Sequence, residues 1–338
     1  MRKQTWGLVM CFFLALMALS VSGADAAGEK PVLLTYSTFF PATNAQGELG
    51  NVWAEEIEKR TDGRVKIRYF PGGVFLHGEE LYEGLRIGAT DIVMSAFAYD
   101  RDGFNAMEAI DLPLGYPNAS VATAVINEFY RIHQPQELAD LKILYLHAHG
   151  PGLFHTTRPV EKLEDLEGMR IRCTAFAAKV VEALGATPAV KSQGFAYVLL
   201  DEHYVQGTLS PMEVLKGWHH AEVVKYTTES HCVAYTTGFY VAMKRAKWNA
   251  LPPEIQRVFE EVSAAWIPKH AEAWDSGDRE AREYSLALGN KIISLSQAEQ
   301  ERWCKAVQPV IGEYTMRAAS RGLSGREYVE TVRSLIKK

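Results

Sequence analysis

Short apolar runs of strand length and longer stretches with helical spacing follow one another along the first third of the chain. Val32-Leu33-Leu34-Thr35-Tyr36-Ser37 is a continuous apolar-rich run broken by Phe39-Phe40-Pro41, the pattern of a buried strand. Helical spacing then predicts a helix from about Gly47 to Lys59. It stops at Thr61-Asp62-Gly63, where Gly63 suits the left-handed position just past a helix end. Val65-Lys66-Ile67-Arg68-Tyr69 alternates as a strand up to the turn Pro71-Gly72-Gly73, and a second helix over about Glu79 to Ile87 leads through Gly88 into the buried strand Asp91-Ile92-Val93-Met94. Such a β-α-β-α-β series specifies a largely parallel sheet with helices on its faces.

The pattern then repeats. Val121 to His133 is helical, and Lys142 to His147 is a strand that crosses into a second lobe. There Met169-Arg170-Ile171-Arg172 reads as a strand, Ala175 to Leu184 as a helix ended by Gly185, and Ala189-Val190 as a short strand. Val233 to Met243 is expected to return as one strand to the first lobe. From Pro253 onward Ile255, Val258, Phe259, Val262 and Trp266 form a helical core stripe, with Pro268 expected to kink the helix. Ser296-Gln297-Ala298-Glu299 opens a further helix as a capping box. The expectation is an α/β fold of two lobes with a cleft between them, hinge strands and long C-terminal helices. Residues 27–149 with about 238–278 would form one lobe, and 150–237 with about 279–338 the other.

The N-terminus bears on location. Arg2 and Lys3 precede an apolar run from Trp6 through Leu19, then Val21-Ser22-Gly23-Ala24-Asp25-Ala26, which has the layout of a secretory signal peptide cleaved after Ala26. The run is shorter than the roughly 20 residues a membrane span needs. Cys11 lies inside it behind Met10, which argues against a lipid anchor. Cleavage would shift the formal net charge of −5 to −6, and no basic block is present, so nucleic acid is not an expected partner. Cys173, Cys232 and Cys304 would remain, an odd number that leaves open one disulfide or three buried thiols.

Catalytic signatures are missing: the sequence has no HExxH, GxSxG, P-loop or GxGxxG. His147, His149 and His155 have a spacing that can serve zinc, but no acid or cysteine is grouped with them in sequence, and hydrogen-bonded structural histidines are the expectation. His219-His220 is poor ligand geometry on a helix. No enzyme activity, metal or cofactor is called for.

Several stretches together resemble the solute receptors of tripartite ATP-independent periplasmic (TRAP) transporters, the DctP family. They are Trp53 to Val65 with Pro71-Gly72-Gly73, Gly88-Ala89-Thr90-Asp91-Ile92, Leu184-Gly185-Ala186-Thr187-Pro188, and Trp248 to Pro253. The most telling is Leu163-Glu164-Asp165-Leu166-Glu167-Gly168-Met169-Arg170-Ile171-Arg172, similar to the family's DLKGxKIR segment. The resemblance implies a periplasmic receptor that closes on a small organic anion and delivers it to small and large membrane permease subunits. A ligand sensor for a membrane kinase is the alternative.

The resemblance also implies that Arg172 clamps the ligand's carboxylate, a role that suits a planar guanidinium with paired donors. A structural bridge from Arg172 to Asp165 or Glu167 is the competing expectation. The chain departs from the family in Gln206-Gly207-Thr208-Leu209-Ser210-Pro211, where Ser210 replaces an asparagine, and at Gln193 and Phe195, where an aromatic and then an acid are usual. Family spacing adds Phe39 or Phe40, His77, Ser95, Phe97, Tyr99, Ser192 and Tyr235 to the expected pocket, with hinge segments near Tyr145 to His149 and Tyr235 to Phe239. One charged clamp, a few neutral polar groups and flat apolar walls suit an aryl or indolyl carboxylate, or a small sulfonate, hydroxy acid or dicarboxylate.

Overall fold

The computed structural model describes residues 30–100 and 103–338; the expected signal peptide lies outside them. Before the first crossing come β1 (Val32–Thr38), β2 (Val65–Phe70), β3 (Ile92–Ala96) and β4 (Leu141–Ala148). Beyond it come β5 (Leu153–Thr156), β6 (Arg170–Cys173), β7 (Thr187–Val190), β8 (Gly207–Ser210) and β9 (Tyr226–Glu229), and then β10 (Gly238–Lys244) and β11 (Lys291–Ser294). One sheet has the order β2-β1-β3-β10-β4 and the other β11-β9-β5-β8-β6-β7. Each sheet carries helices, giving the two-lobe α/β architecture.

The first sheet is parallel across β2, β1 and β3. β10 enters between β3 and β4 antiparallel to both, because it arrives from the other lobe. The helix between β1 and β2 spans Ala45–Arg60, capped by Asn44, whose side chain accepts from Gln46 N. Its buried face, with Trp53, Ala54 and Ile57, covers the sheet.

Two expectations are corrected. The returning strand begins at Gly238 rather than Val233. Residues 234–237 cross between the lobes, and their backbone bonds to loops instead: the Ala234 carbonyl accepts from Gly115 and Tyr116, and the Tyr235 carbonyl from Gly152. The helix carrying Pro268 continues through it, from Pro253 to Ala287. Pro268 lies on the exposed face, where the carbonyl that loses its amide partner is open to water. The last helix, Gly325–Ile336, expected with the second lobe, packs on Ala119–His133 of the first, with Tyr328 against Phe129 and Thr331 bonded to His133. Its strongly one-sided apolar face, including Val329 and Val332, finds its buried partner there.

Chain crossings at 149–152 and 230–237, together with the long helix, join the lobes. Cys232 is bonded to Cys304 beside the second crossing, and Cys173 is a buried free thiol. Among the described residues no helix is long and apolar enough to cross a membrane.

Candidate functional site

Parallel strands aim the loops at their C-terminal ends into the space between the lobes. From the first lobe, Phe39 and Phe40 follow β1 and Tyr99 follows β3; from the second come Arg172 near the end of β6, Gln193 after β7 and Ser210 at the end of β8. Arg172 pairs in register with Thr208 of β8, so Arg172, Thr208 and Ser210 share one face of that sheet. All of these except Thr208 line one cavity, which Thr174, Trp218, Tyr235, Thr237, Phe239 and Trp274 help to close.

Arg172 is only 2% exposed. Its Nε donates to the Lys191 carbonyl at 2.8 Å, and its Nη1 donates to Gln193 Oε1 at 2.8 Å and to Ser210 Oγ at 3.2 Å. Ser210 Oγ is in turn 2.9 Å from Thr208 Oγ1. Every one of these partners is neutral, and neither Asp165 nor Glu167 is among them; Asp165 instead accepts from the backbone of Glu161 and Lys162. Among the described residues the second terminal nitrogen, Nη2, has no hydrogen-bond partner, nor has the buried hydroxyl of Thr174 on the same cavity wall. An uncompensated buried cation and unpaired buried donors are costly arrangements, and an oxyanion between them relieves both.

No other cation lines this cavity among the described residues. His149 reaches it as a neutral imidazole: burial holds its pKa down at about 4, and Arg172 adds to the effect. Aromatic rings make most of the remaining wall. Phe39 and Trp218, from opposite lobes, stack at 6.2 Å between centroids, and Phe239 and Trp274 stack at 5.5 Å.

The cavity measures about 30 Å³, room for roughly one or two waters. A cavity of about 150 Å³ is what admits a benzene ring. Entry of any organic acid therefore requires the lobes to part. Three hydrogen bonds across the cleft resist this: Gln193 N to Tyr99 Oη at 2.9 Å, Ser192 N to Glu79 Oε1 at 2.9 Å, and Asn44 Nδ2 to Glu213 Oε1 at 2.8 Å.

Of the residues expected in the pocket, Arg172, Gln193, Ser210, Phe39, Tyr99 and Tyr235 come together. Five do not line it. Phe97 is buried against Phe104 and Tyr240 in the first lobe, and Ser95 bonds to the Gly78 carbonyl. His77 and Phe195 face each other, both exposed, at 5.8 Å outside the cavity. Ser192 contributes its backbone to the lobe contact rather than its hydroxyl to the wall. Alternation along β3 and the following turn sends one side chain to the core and the next to the cleft, so spacing from a family position errs by a face.

The sequence pattern missed Trp218, Trp274, Thr174, Thr237 and His149 as lining residues. Trp274 sits on the same long helix as the core stripe, one turn past His270, and nothing in its periodicity separates it from core. The three histidines of the H-x-H-x5-H run are separately bonded: His147 Nδ1 accepts from Trp274 Nε1, His149 lies against the Gly150 carbonyl, and His155 meets Thr227 and the Ser210 and Pro211 carbonyls.

Residues 36–317 match the profile of DctP, bacterial extracellular solute-binding protein, family 7. Among solved structures, a marine metagenome TRAP solute-binding protein specific for aromatic acid ligands, in complex with 3-hydroxybenzoate, is 26% identical with a TM-score of 0.85, over 91% of this chain and 99% of that one. A TRAP periplasmic solute-binding protein from Bordetella bronchiseptica with bound mandelate is 26% identical with a TM-score of 0.83, over 91% and 99%. The C4-dicarboxylate-binding protein DctB of Bacillus subtilis is 24% identical over 322 residues, 91% of this chain and 88% of that protein.

Proposed function

The chain belongs to the DctP family of bacterial extracellular solute-binding proteins, the periplasmic receptors that bind small organic acids for TRAP transporters and are not enzymes, and from that premise we propose that its ligand is an aromatic monocarboxylate. Arg172 receives the carboxylate, and the aromatic walls receive the ring. The receptor then closes and presents the ligand to the membrane permease.

The observation that carries this reading is the buried Arg172 guanidinium, without a carboxylate partner among the described residues, set in a wall of aromatic rings. One cation suits one negative charge. A dicarboxylate would bring a second charge with no cation to meet it, at a desolvation penalty of several kcal/mol. Sugar acids need many hydrogen-bond partners, and the aromatic wall supplies few. The 26% identical relatives solved with 3-hydroxybenzoate and mandelate are consistent with this choice.

The experiment is calorimetric titration of the refolded mature chain with benzoate, 3-hydroxybenzoate, mandelate, succinate and galactonate. Tightest binding within the aryl acids is expected. Tighter binding of succinate or galactonate would overturn the aromatic assignment while leaving the family intact.

A further inference from the structure

Gln193 stands between Arg172 and a histidine behind the cavity wall, His220, and donor counting along that line leaves one arrangement. A guanidinium only donates, so Gln193 Oε1, 2.8 Å from Arg172 Nη1, must be the acceptor. The amide Nε2 is then a donor, and it lies 3.2 Å from His220 Nε2. That nitrogen can accept only if it carries no proton.

We propose that His220, neutral and protonated on Nδ1, is a positioning residue for the anion clamp: it holds the Gln193 amide with its oxygen toward Arg172, and so aims the unpaired Nη2 into the cavity. The inference rests on the reading of Arg172 as the carboxylate's partner. Without an acceptor at His220 Nε2, the amide has no reason to prefer one of its two orientations, and the flipped one sets an NH2 group against the guanidinium. Arg172 would then lose one of its three anchors and swing within the cavity.

The surroundings agree. His220 is fully buried at the start of the short helix His220–Val223, behind a left-handed His219 with φ 61° that turns the chain inward. The groups acting on it are His155 from β5, Arg172 from β6 and its neighbour His219, which pairs with Glu222. Burial first, and then these three in the same direction, hold its pKa well below the usual histidine range, so the ring stays neutral. Its Nδ1 has no partner among the described residues, which leaves the contact with Gln193 to decide the tautomer.

Two measurements on the mature chain test this. Long-range 1H–15N correlation NMR of selectively labelled histidine should show His220 with a bare Nε2 and a protonated Nδ1, unchanged from pH 6 to 8. A protonated Nε2 would overturn the assignment, and this readout needs no variant and no ligand. Calorimetry with benzoate as the probe should show His220→Leu weakening binding about tenfold, through loss of the buried acceptor, and His220→Gln, which can offer an acceptor at the same place, restoring most of it.

Wild-type benzoate affinity in His220→Leu, alongside a large loss in Arg172→Ala, would overturn the positioning role and leave the clamp standing. Undiminished binding by Arg172→Ala would instead sink the clamp. If benzoate fails to bind at all, the aryl reading falls, and the NMR tautomer still decides the His220 assignment.

Discussion

Asn44 of the first lobe donates from Nδ2 to Oε1 of Glu213, a buried acid of the second, at 2.8 Å. The Glu213 carboxyl is pushed up to about 8, by burial first and by Asp278 second. Its other oxygen has no partner among the described residues, and a Cβ on Gly217 would lie 1.8 Å from Oε1, so a side chain there would displace the carboxyl from Asn44.

Protonation of this acid favours the folded form. Between the ordinary carboxyl value of 4.5 and about 8, the folded chain holds a proton that the unfolded chain has released. Stability therefore falls as pH rises through that window and levels off above it. Asp278 is raised to about 7 by burial first and by Asp275, against the opposing pull of the Glu213 N–H and of Arg279, and contributes in the same sense. Thermal unfolding of wild type should fall from pH 5 to 8.5, and Glu213→Gln, which keeps the acceptor for Asn44 but cannot ionise, should flatten that slope and raise Tm at pH 8 by a few degrees. Parallel slopes for the two proteins would rule out Glu213 as the source.

Replacing Arg172 removes the charge that the cavity is built around. Arg172→Ala should cost roughly 2–5 kcal/mol of aryl-acid binding, about thirty-fold to several thousand-fold in Kd. Arg172→Lys should recover little of it, since an ammonium cannot serve Lys191, Gln193, Ser210 and the ligand in one plane. Affinity within threefold of wild type for the alanine variant excludes the clamp.

Trp218 and Phe39 meet across the cleft, so one ring from each lobe would contact an aryl ligand held between them. Trp218→Ala should weaken benzoate binding by about 1–3 kcal/mol, from lost stacking and lost apolar area together. An aliphatic monocarboxylate such as acetate should lose less. Equal losses for the two ligands would show that Trp218 serves lobe closure and not ring recognition.

Cys232 and Cys304 close a loop with a sequence separation of 72. In the chain-entropy account, such a loop contributes roughly 4 kcal/mol through the unfolded state. Reduction, or Cys232→Ser with Cys304→Ser, should lower Tm by several degrees and leave aryl-acid affinity nearly unchanged, because the pair lies outside the cavity. An unchanged Tm on reduction would mean the bond does not form in the mature protein.

Much of this molecule is written in local pattern. The runs at 32–37, 65–69 and 91–94 are short, apolar and punctuated by proline and glycine, so strand type and order follow from burial and turn chemistry alone. The segment ending at Arg172 is equally legible, because a strand entered through Gly168, left-handed at φ 73°, alternates its side chains predictably. Length and alternation thus determine two α/β lobes and put Arg172 on a strand, whereas its role and the places of Gln193 and Ser210 in the pocket were implied only by the family resemblance.

What faces the cleft was decided only in three dimensions. Trp274 and Trp266 lie on one helix at core-like spacing, yet Trp274 reaches the cavity wall because the long helix passes the hinge. His77, Phe97 and Phe195 sit at plausible spacings and turn elsewhere, since a one-residue change of register sends a side chain to the opposite face. His220 meets Gln193 only when two short helices and β7 are packed together, a contact between residues 27 positions apart. Local periodicity encodes which face of an element is apolar; which two faces meet depends on contacts between distant residues, and these exist only once the lobes have folded and closed.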